Sequence, residues 1–219
     1  MVPAVPAAAT NLARAEEMVM AAMESLRTKR LLFYNEADFQ HALAWELHLA
    51  HPDADLRLEI PQYGGRVDLF FAASSLRVAI ELKYPRAKFA TELPGEPAPY
   101  ARSNPDAVDD TRYAIAQDIE RLERVVGDGT ADVGCLLLLT NESSFWREPR
   151  RATTAMDAKF RIHEGASLAG ALEWGAGGRS KDAIALRGEY TAGWRDYSEL
   201  PVPPTTGAAT LRYVALLIS

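Results

Sequence analysis

Two short apolar stretches decide the fold of this chain: RVDLFF at residues 66–71 and VAIELK at residues 78–83. Successive side chains of a β-strand point to opposite faces of its sheet. In the second stretch, Glu81 and Lys83 therefore share one face, and the alternating apolar residues share the other. Both stretches have the length and composition of strands, so the sequence predicts two neighbouring strands with charged groups on one face.

The connection between the two strands, AASS at residues 72–75, is short enough for a hairpin. A hairpin would bring Asp68 beside Glu81 across the ladder. Two carboxylates and an ammonium suit a hard-cation site better than a core, because carboxylate oxygens are the ligands that Mg²⁺ prefers. The ammonium of Lys83 could then stabilise a developing phosphate charge or help to position a water molecule.

This pattern resembles the PD-(D/E)xK nuclease superfamily: an aspartate, a spacer, then Glu-x-Lys at the end of an apolar strand. Val67 stands where the motif has its proline. The resemblance covers roughly residues 35–140, and it implies an α/β fold. That fold is a restriction-endonuclease-like αβββαβ core, with a central mixed sheet flanked by helices and with extra C-terminal strands.

The resemblance also implies metal-dependent hydrolysis of phosphodiester bonds in restriction, repair or phage defence, with DNA as the expected substrate and RNA as the alternative. Asp68, Glu81 and the backbone carbonyl of Leu82 would hold one or two Mg²⁺ or Mn²⁺ ions, and Lys83 would contact the scissile phosphate. Many members pair to cut both strands, so a homodimer or a partner subunit is a further expectation. The alternative is a catalytically silent module on the same fold that binds nucleic acid or protein.

Members of the superfamily often add a carboxylate from the helix before the first strand. Glu36 and Glu46 are both candidates, and we favour Glu36 because it opens its helix. On the later helix, Gln117 and Arg121 are candidate substrate-binding residues. For Arg121, a simple ion pair with Asp118 along the helix is the competing interpretation.

Apolar periodicity predicts helices at residues 11–30, capped by Thr10 or Asn11, from Asn35 to His51, and at 112–126. Strands are expected at 55–60, 66–72 and 76–83, and the apolar run 133–140 predicts a central strand buried on both faces. Further strands are expected at 167–174, 183–190 and 210–218. The proline-rich segment 85–110 shows no periodicity, which indicates either a substrate-contacting lid or disorder.

These elements predict a flexible tail at residues 1–10, a nuclease-like core at 11–140 and a C-terminal extension at 141–219 packed on the same domain. The chain has 219 residues, a net charge of −6 and no apolar run long enough to cross a bilayer, so no membrane partner and a cytoplasmic location are expected. The single cysteine, Cys135, is expected to be a buried small apolar residue.

The charge of −6 opposes nucleic-acid binding by global attraction, but a local basic cluster could provide it. The competing interpretation of this cluster is a solvated charged face. Its members are Arg147, Arg150, Arg151, Lys159 and Arg161.

Overall fold

The computed structural model of the protein describes residues 7–102, 107–149, 155–175, 181–200 and 209–219. The helices are α1 (Ala7–Lys29), α2 (Glu36–Ala50) and α3 (Val108–Gly127). The strands are β1 (Asp55–Gln62), β2 (Gly65–Ala73), β3 (Leu76–Lys83), β4 (Phe89–Thr91), β5 (Tyr100–Arg102), β6 (Val133–Thr140), β7 (Ser167–Leu172), β8 (Ile184–Thr191), β9 (Arg195–Glu199) and β10 (Thr210–Ile218). A short 3-10 turn at Ala158–Phe160 precedes β7.

Within the described ranges, six strands form one mixed sheet in the order β1-β2-β3-β6-β10-β9. Only β3 and β6 run parallel; the other neighbouring pairs of this sheet are antiparallel. Parallel neighbours need a crossover connection, and α3 lies in this one. The protein therefore belongs to the α/β class, with a central mixed sheet flanked by helices, as predicted.

Helices cover both faces of the sheet, so apolar side chains are buried on each side. One core lies between the sheet and helices α1 and α2, and the other lies between the sheet, α3 and the ribbon of β7 and β8. Every residue of β6 is buried, which confirms the prediction of a central strand. Cys135 lies in this strand with 0% exposure and a free thiol, as predicted.

The predicted helix boundaries are correct for α2 and wrong for the starts of the other two helices. The side chain of Asn35 caps α2 by accepting a hydrogen bond from the Asp38 N–H at 2.8 Å, and the helix ends at Ala50. Helix α1 already begins at Ala7, so Thr10 lies inside it; the alanines before Thr10 are strong helix formers. Helix α3 begins at Val108, four residues before the predicted start at 112.

The C-terminal part of the chain adds strands to the structure, as predicted, although one of them was missed. Strand β10 lies inside the main sheet beside β6, and the unpredicted β9 forms its edge. In the proline-rich segment, β4 and β5 form a two-stranded ribbon, while residues 103–106 lie outside the described ranges. None of the described helices combines the length and the apolar content that a bilayer crossing needs.

Candidate active site

The candidate site lies where β2 separates from β3. The ladder between these strands runs from the Ala73–Leu76 pair to the Leu69–Ile80 pair, and Asp68 comes immediately before it. A carboxylate oxygen of Asp68 accepts a hydrogen bond from the backbone N–H of Leu82 at 2.6 Å. The Asp68 side chain thus takes the place of a backbone partner at the point where the two strands diverge.

The backbone opposite Asp68 is also irregular. Glu59 lies in β1 between two residues that pair with Leu69 and Val67, and its φ of 57° is left-handed. Such a conformation is costly for a residue with a side chain, and it often occurs beside functional sites. The Glu59 carboxylate lies 3.6 Å from Arg66 on the neighbouring strand, which forms an ion pair across the ladder.

Strand alternation directs Glu81 and Lys83 toward α3. The apolar residues that alternate with them, such as Ile80 and Leu82, belong to the core on the side of α1 and α2. Glu81 is buried and accepts a hydrogen bond from Arg121 Nε at 2.7 Å. The Lys83 ammonium lies 2.7 Å from Asp118, and Arg121 contacts the other oxygen of Asp118 at 2.5 Å. The predicted helix pair between Asp118 and Arg121 is therefore present, and both of its members also contact β3.

Helix α2 contributes two polar side chains, Glu36 and Gln40, one turn apart. Glu36 accepts a hydrogen bond from the backbone N–H of Tyr84 at 2.8 Å. The Gln40 amide donates to the Asp68 carbonyl at 2.7 Å and to Glu59 at 2.9 Å. Gln40 therefore holds the backbone of Asp68 in position, a role that the sequence analysis did not assign to it.

The structure separates the two glutamates that the sequence left open. Glu46 does not join the site: its carboxylate contacts Lys29 at 2.7 Å and the Ser25 hydroxyl at 2.6 Å, both on α1. Its side chain is buried, with 7% exposure. An ion pair to the neighbouring helix explains its burial.

A cleft of about 380 Å³ opens beside these residues, between the end of β3 and the N-terminal half of α3. Glu36 and Lys83 face the cleft directly, and Asp110, Thr111 and Ala114 form the wall on α3. Asp68 is partly buried and Glu81 is 1% exposed. Lys83 is therefore the more accessible of the two charged groups that β3 contributes to the site.

Burial dominates the electrostatics of the carboxylates. It raises the pKa of Glu81 to about 8, although Arg121 works in the opposite direction. Burial likewise raises the pKa of Asp68 and of Glu36, against the lowering effect of Lys83. Burial alone would lower the pKa of Lys83, but the charges of Asp118 and Glu36 outweigh it and the pKa is raised.

These charged residues form one cluster in which carboxylates outnumber cations. We define the site cluster, within the described residues, as Glu36, Asp68, Glu81, Lys83, Asp118 and Arg121. Each of its four carboxylates interacts electrostatically with at least two other members, and only two members are cations. Across the described ranges, no three Asp, Glu, His or Cys side chains converge closely enough to hold a metal ion by themselves.

The remaining predicted residues have less direct roles. Gln117 is exposed on α3, next to Asp118. In the basic cluster, Arg161 contacts Asp157 and Lys159 is near Glu173, while Arg150 and Arg151 lie outside the described residues. Two contributors were missed or undervalued: Gln40, at i+4 from Glu36 on the same helix, and Asp118. The i+4 spacing was the sequence signal for Gln40.

Three comparisons, with protein-family models, with curated proteins and with solved structures, find no match to this chain.

Proposed function

We propose that this protein is a metal-dependent nuclease that hydrolyses phosphodiester bonds of DNA. The observation that carries the proposal is the position of Asp68 where β2 and β3 diverge. Its carboxylate accepts a hydrogen bond from the backbone N–H of Leu82, the residue between Glu81 and Lys83 in β3. The order of elements from α2 to β6 is helix, three strands, helix and strand, with the β4–β5 ribbon inserted. This order supports a restriction-endonuclease-like core.

The residues present fit a Mg²⁺ or Mn²⁺ ion. The available donors are oxygens, and the site cluster has two more carboxylates than cations. A divalent ion that displaces the proton of Glu81 would therefore balance the charge of the fully ionised cluster. Mg²⁺ sites commonly use only one or two carboxylates and complete the shell with water, so three converging side chains are not required. Asp68, Glu81 and the carbonyl of Leu82 would hold the ion, which when bound lowers the pKa of an attacking water.

The chain's own residues would then bind and orient the substrate. The Lys83 ammonium faces the cleft and carries the charge that a scissile phosphate needs as a partner. Glu36 lies at the same cleft wall, where its carboxylate could accept a proton or position a water molecule. Arg121 holds Glu81 and Asp118 from the side of α3, which fixes the orientation of both carboxylates.

The test is cleavage of plasmid and linear DNA by the purified protein, in parallel with calorimetric titration of Mn²⁺. We expect cleavage with Mg²⁺ or Mn²⁺ but not with Ca²⁺, whose larger and more flexible shell does not fix an attacking water well. Asp68→Asn should lose both metal binding and cleavage. Lys83→Ala should lose cleavage but retain metal binding, because an ammonium is not a metal ligand.

The matched control is Asp55→Asn on β1, whose carboxylate is 57% exposed and pairs with Arg57. This variant removes an aspartate charge outside the site, so it should retain both metal binding and cleavage. Cleavage that persists unchanged in both Asp68→Asn and Lys83→Ala would show that the activity does not arise at this site.

A second candidate function is a catalytically silent binding module on the same fold. Two observations favour it: Arg121 already neutralises Glu81 at 2.7 Å, and the whole chain carries a charge of −6. The calorimetric titration separates the two candidates. A silent module would give no heat of Mn²⁺ binding in the wild-type protein, and Asp68→Asn would leave its binding of nucleic acid or protein unchanged.

A further inference from the structure

A second cavity lies in the C-terminal half of the chain, apart from the residues of the site cluster. It is an open groove of about 490 Å³ between the 3-10 turn at Ala158–Phe160 and strand β7. Its lining contains Lys159, Arg161 and His163 together with small residues, chiefly alanines. We call it the basic groove. Because its other side chains are short, an extended polymer can approach the backbone closely.

Among its described residues, the groove has one well-exposed cation, Lys159. The Lys159 side chain is 54% exposed, and its ammonium lies 3.7 Å from Glu173, near the upper limit for an ion pair. Arg161 lies 3.4 Å from Asp157, a carboxylate that also binds Arg112. The groove therefore places an exposed ammonium beside a guanidinium and an imidazole, on a protein whose overall charge is negative.

One further polar group is available in the groove. The Nδ1 atom of His163 is buried, and no residue within the described ranges forms a hydrogen bond with it. An imidazole nitrogen in such a place normally has a partner, because leaving a buried polar atom without a hydrogen bond is energetically costly. A ligand with hydrogen-bonding oxygens would provide that partner.

The groove and the cleft of the candidate active site flank the same two turns of α3. The wall of the cleft on α3 consists of Asp110, Thr111 and Ala114. Tyr113, in the same turns, packs against Phe160 and Trp174, which lie at the two ends of the segment that forms the groove. A strand of nucleic acid bound in the groove could thus continue past the N-terminal half of α3 into the cleft.

We propose that the basic groove binds the phosphodiester backbone of DNA and guides the strand toward the cleft. Lys159, Arg161 and His163 would contact phosphate oxygens. Guanidinium and ammonium groups bind phosphates by charge-assisted hydrogen bonds, and such contacts position a nucleic acid without reading its sequence. This proposal rests on the proposed function for its substrate, but it concerns binding and makes no use of the metal.

The test measures binding of a short fluorescein-labelled DNA duplex and of the matching single strand by anisotropy, in EDTA, over a series of salt concentrations. The variants are Lys159→Glu and the double change Lys159→Gln with Arg161→Gln. The control is Arg57→Glu on β1, which changes the net charge as Lys159→Glu does, at a side chain that is 64% exposed. Lys159→Glu keeps the test valid even if the double variant folds poorly, because Lys159 is exposed.

We expect Lys159→Glu to weaken binding about tenfold, the value of one charge-assisted hydrogen bond. The slope of log affinity against log salt should fall by about 0.9 for each lost phosphate contact. Arg57→Glu should change neither quantity appreciably. Three results would overturn the proposal: equal weakening by Lys159→Glu and Arg57→Glu, no binding by the wild-type protein, or displacement of DNA by polyglutamate as efficiently as by unlabelled DNA.

This binding experiment and the cleavage experiment together distinguish the two proposals. If the protein binds DNA through the groove but does not cleave it with Mg²⁺ or Mn²⁺, the groove stands and the nuclease proposal fails. If it cleaves DNA while Lys159→Glu binds as tightly as the wild type, the groove proposal alone fails.

Discussion

At the scale of single residues, Gly65 determines where the Arg121 side chain can lie. A Cβ atom added at Gly65 would be 2.9 Å from an Nη atom of Arg121 and 3.3 Å from its Cζ. The guanidinium passes over this glycine on its way to Glu81. A side chain at the start of β2 would thus displace the guanidinium from this position.

This contact predicts that Arg121 opposes cation binding by Glu81. Removing one positive charge beside the carboxylates in Arg121→Gln should tighten Mn²⁺ binding about tenfold, which corresponds to about 1.4 kcal/mol. Gly65→Ala should act in the same direction with a smaller effect, since it displaces the guanidinium without removing it. Calorimetric titration measures both changes. In the control, Gly193→Ala, the new methyl group has no neighbour within 4 Å; equal affinities in all four proteins would contradict the role of Arg121.

The raised pKa of Glu81 predicts how stability depends on pH. Burial raises this pKa from an ordinary 4.5 to about 8, so between these values the folded protein holds a proton that the unfolded chain has lost. The stabilisation is complete below the unfolded pKa and disappears as the pH rises through the folded one. The free energy of unfolding should therefore fall, by up to about 1.4 kcal/mol per pH unit from this group.

Urea unfolding in EDTA at a series of pH values checks this slope. Glu81→Gln has no proton to exchange at this position, so its free energy of unfolding should fall clearly less with pH. Asp68 and Glu36, whose pKa values are also raised, should still cause some fall. The control Glu24→Gln, at a carboxylate that is 60% exposed, should follow the wild type. Parallel curves for wild type and Glu81→Gln would refute the assignment.

Part of the site could be predicted from single residues. Strand alternation is a local property, so the shared face of Glu81 and Lys83 followed from their spacing alone. The choice between Glu36 and Glu46 could not be made from spacing, because it depends on how α2 is rotated against the sheet. That rotation is set by apolar packing of Phe39 and Leu43, and both glutamates lie beside this face in the sequence pattern.

At the scale of elements, long segments with a clear period were predictable and short ones were not. The first three strands and the helices came from apolar periodicity, which depends only on neighbours in the sequence. Strands β4, β5 and β9 have three to five residues, too few to display a period. Strand β4 pairs with β5, and β9 pairs with β10, so each is a short strand held by its neighbour rather than one marked by a pattern of its own.

The position of the β7–β8 ribbon depends on contacts between residues that are distant in the chain. The buried carboxylate of Glu123 on α3 accepts hydrogen bonds from the backbone N–H groups of Arg187 and Gly188 and from the Tyr190 hydroxyl, at 2.7–2.9 Å. A helical glutamate in an acidic protein gives no sequence signal for this role. The contact places the ribbon, and with it the basic groove, beside α3.

At the scale of the whole molecule, the C-terminal strand belongs to the central sheet. Strand β10 pairs with β6 on one side and β9 on the other, and it buries apolar side chains against both faces of the sheet. Its fully or almost fully buried aliphatic residues are Leu211, Val214, Leu216 and Ile218. At about 1.5–3 kcal/mol each, their burial contributes roughly as much as the entire stability of an ordinary domain, about 5–15 kcal/mol.

We therefore predict that a chain ending at Leu200 will not fold cooperatively, although it retains every residue of the site cluster. Removing β10 would also expose the edge of β6, an apolar strand with a row of unpaired backbone groups, so the truncated protein should self-associate. Circular dichroism during urea unfolding and light scattering measure the two effects. The control lacks only the exposed Ser219 and should unfold like the full chain. A truncated protein that unfolds in one sharp transition near the original midpoint would mean that residues before β10 form an independent domain.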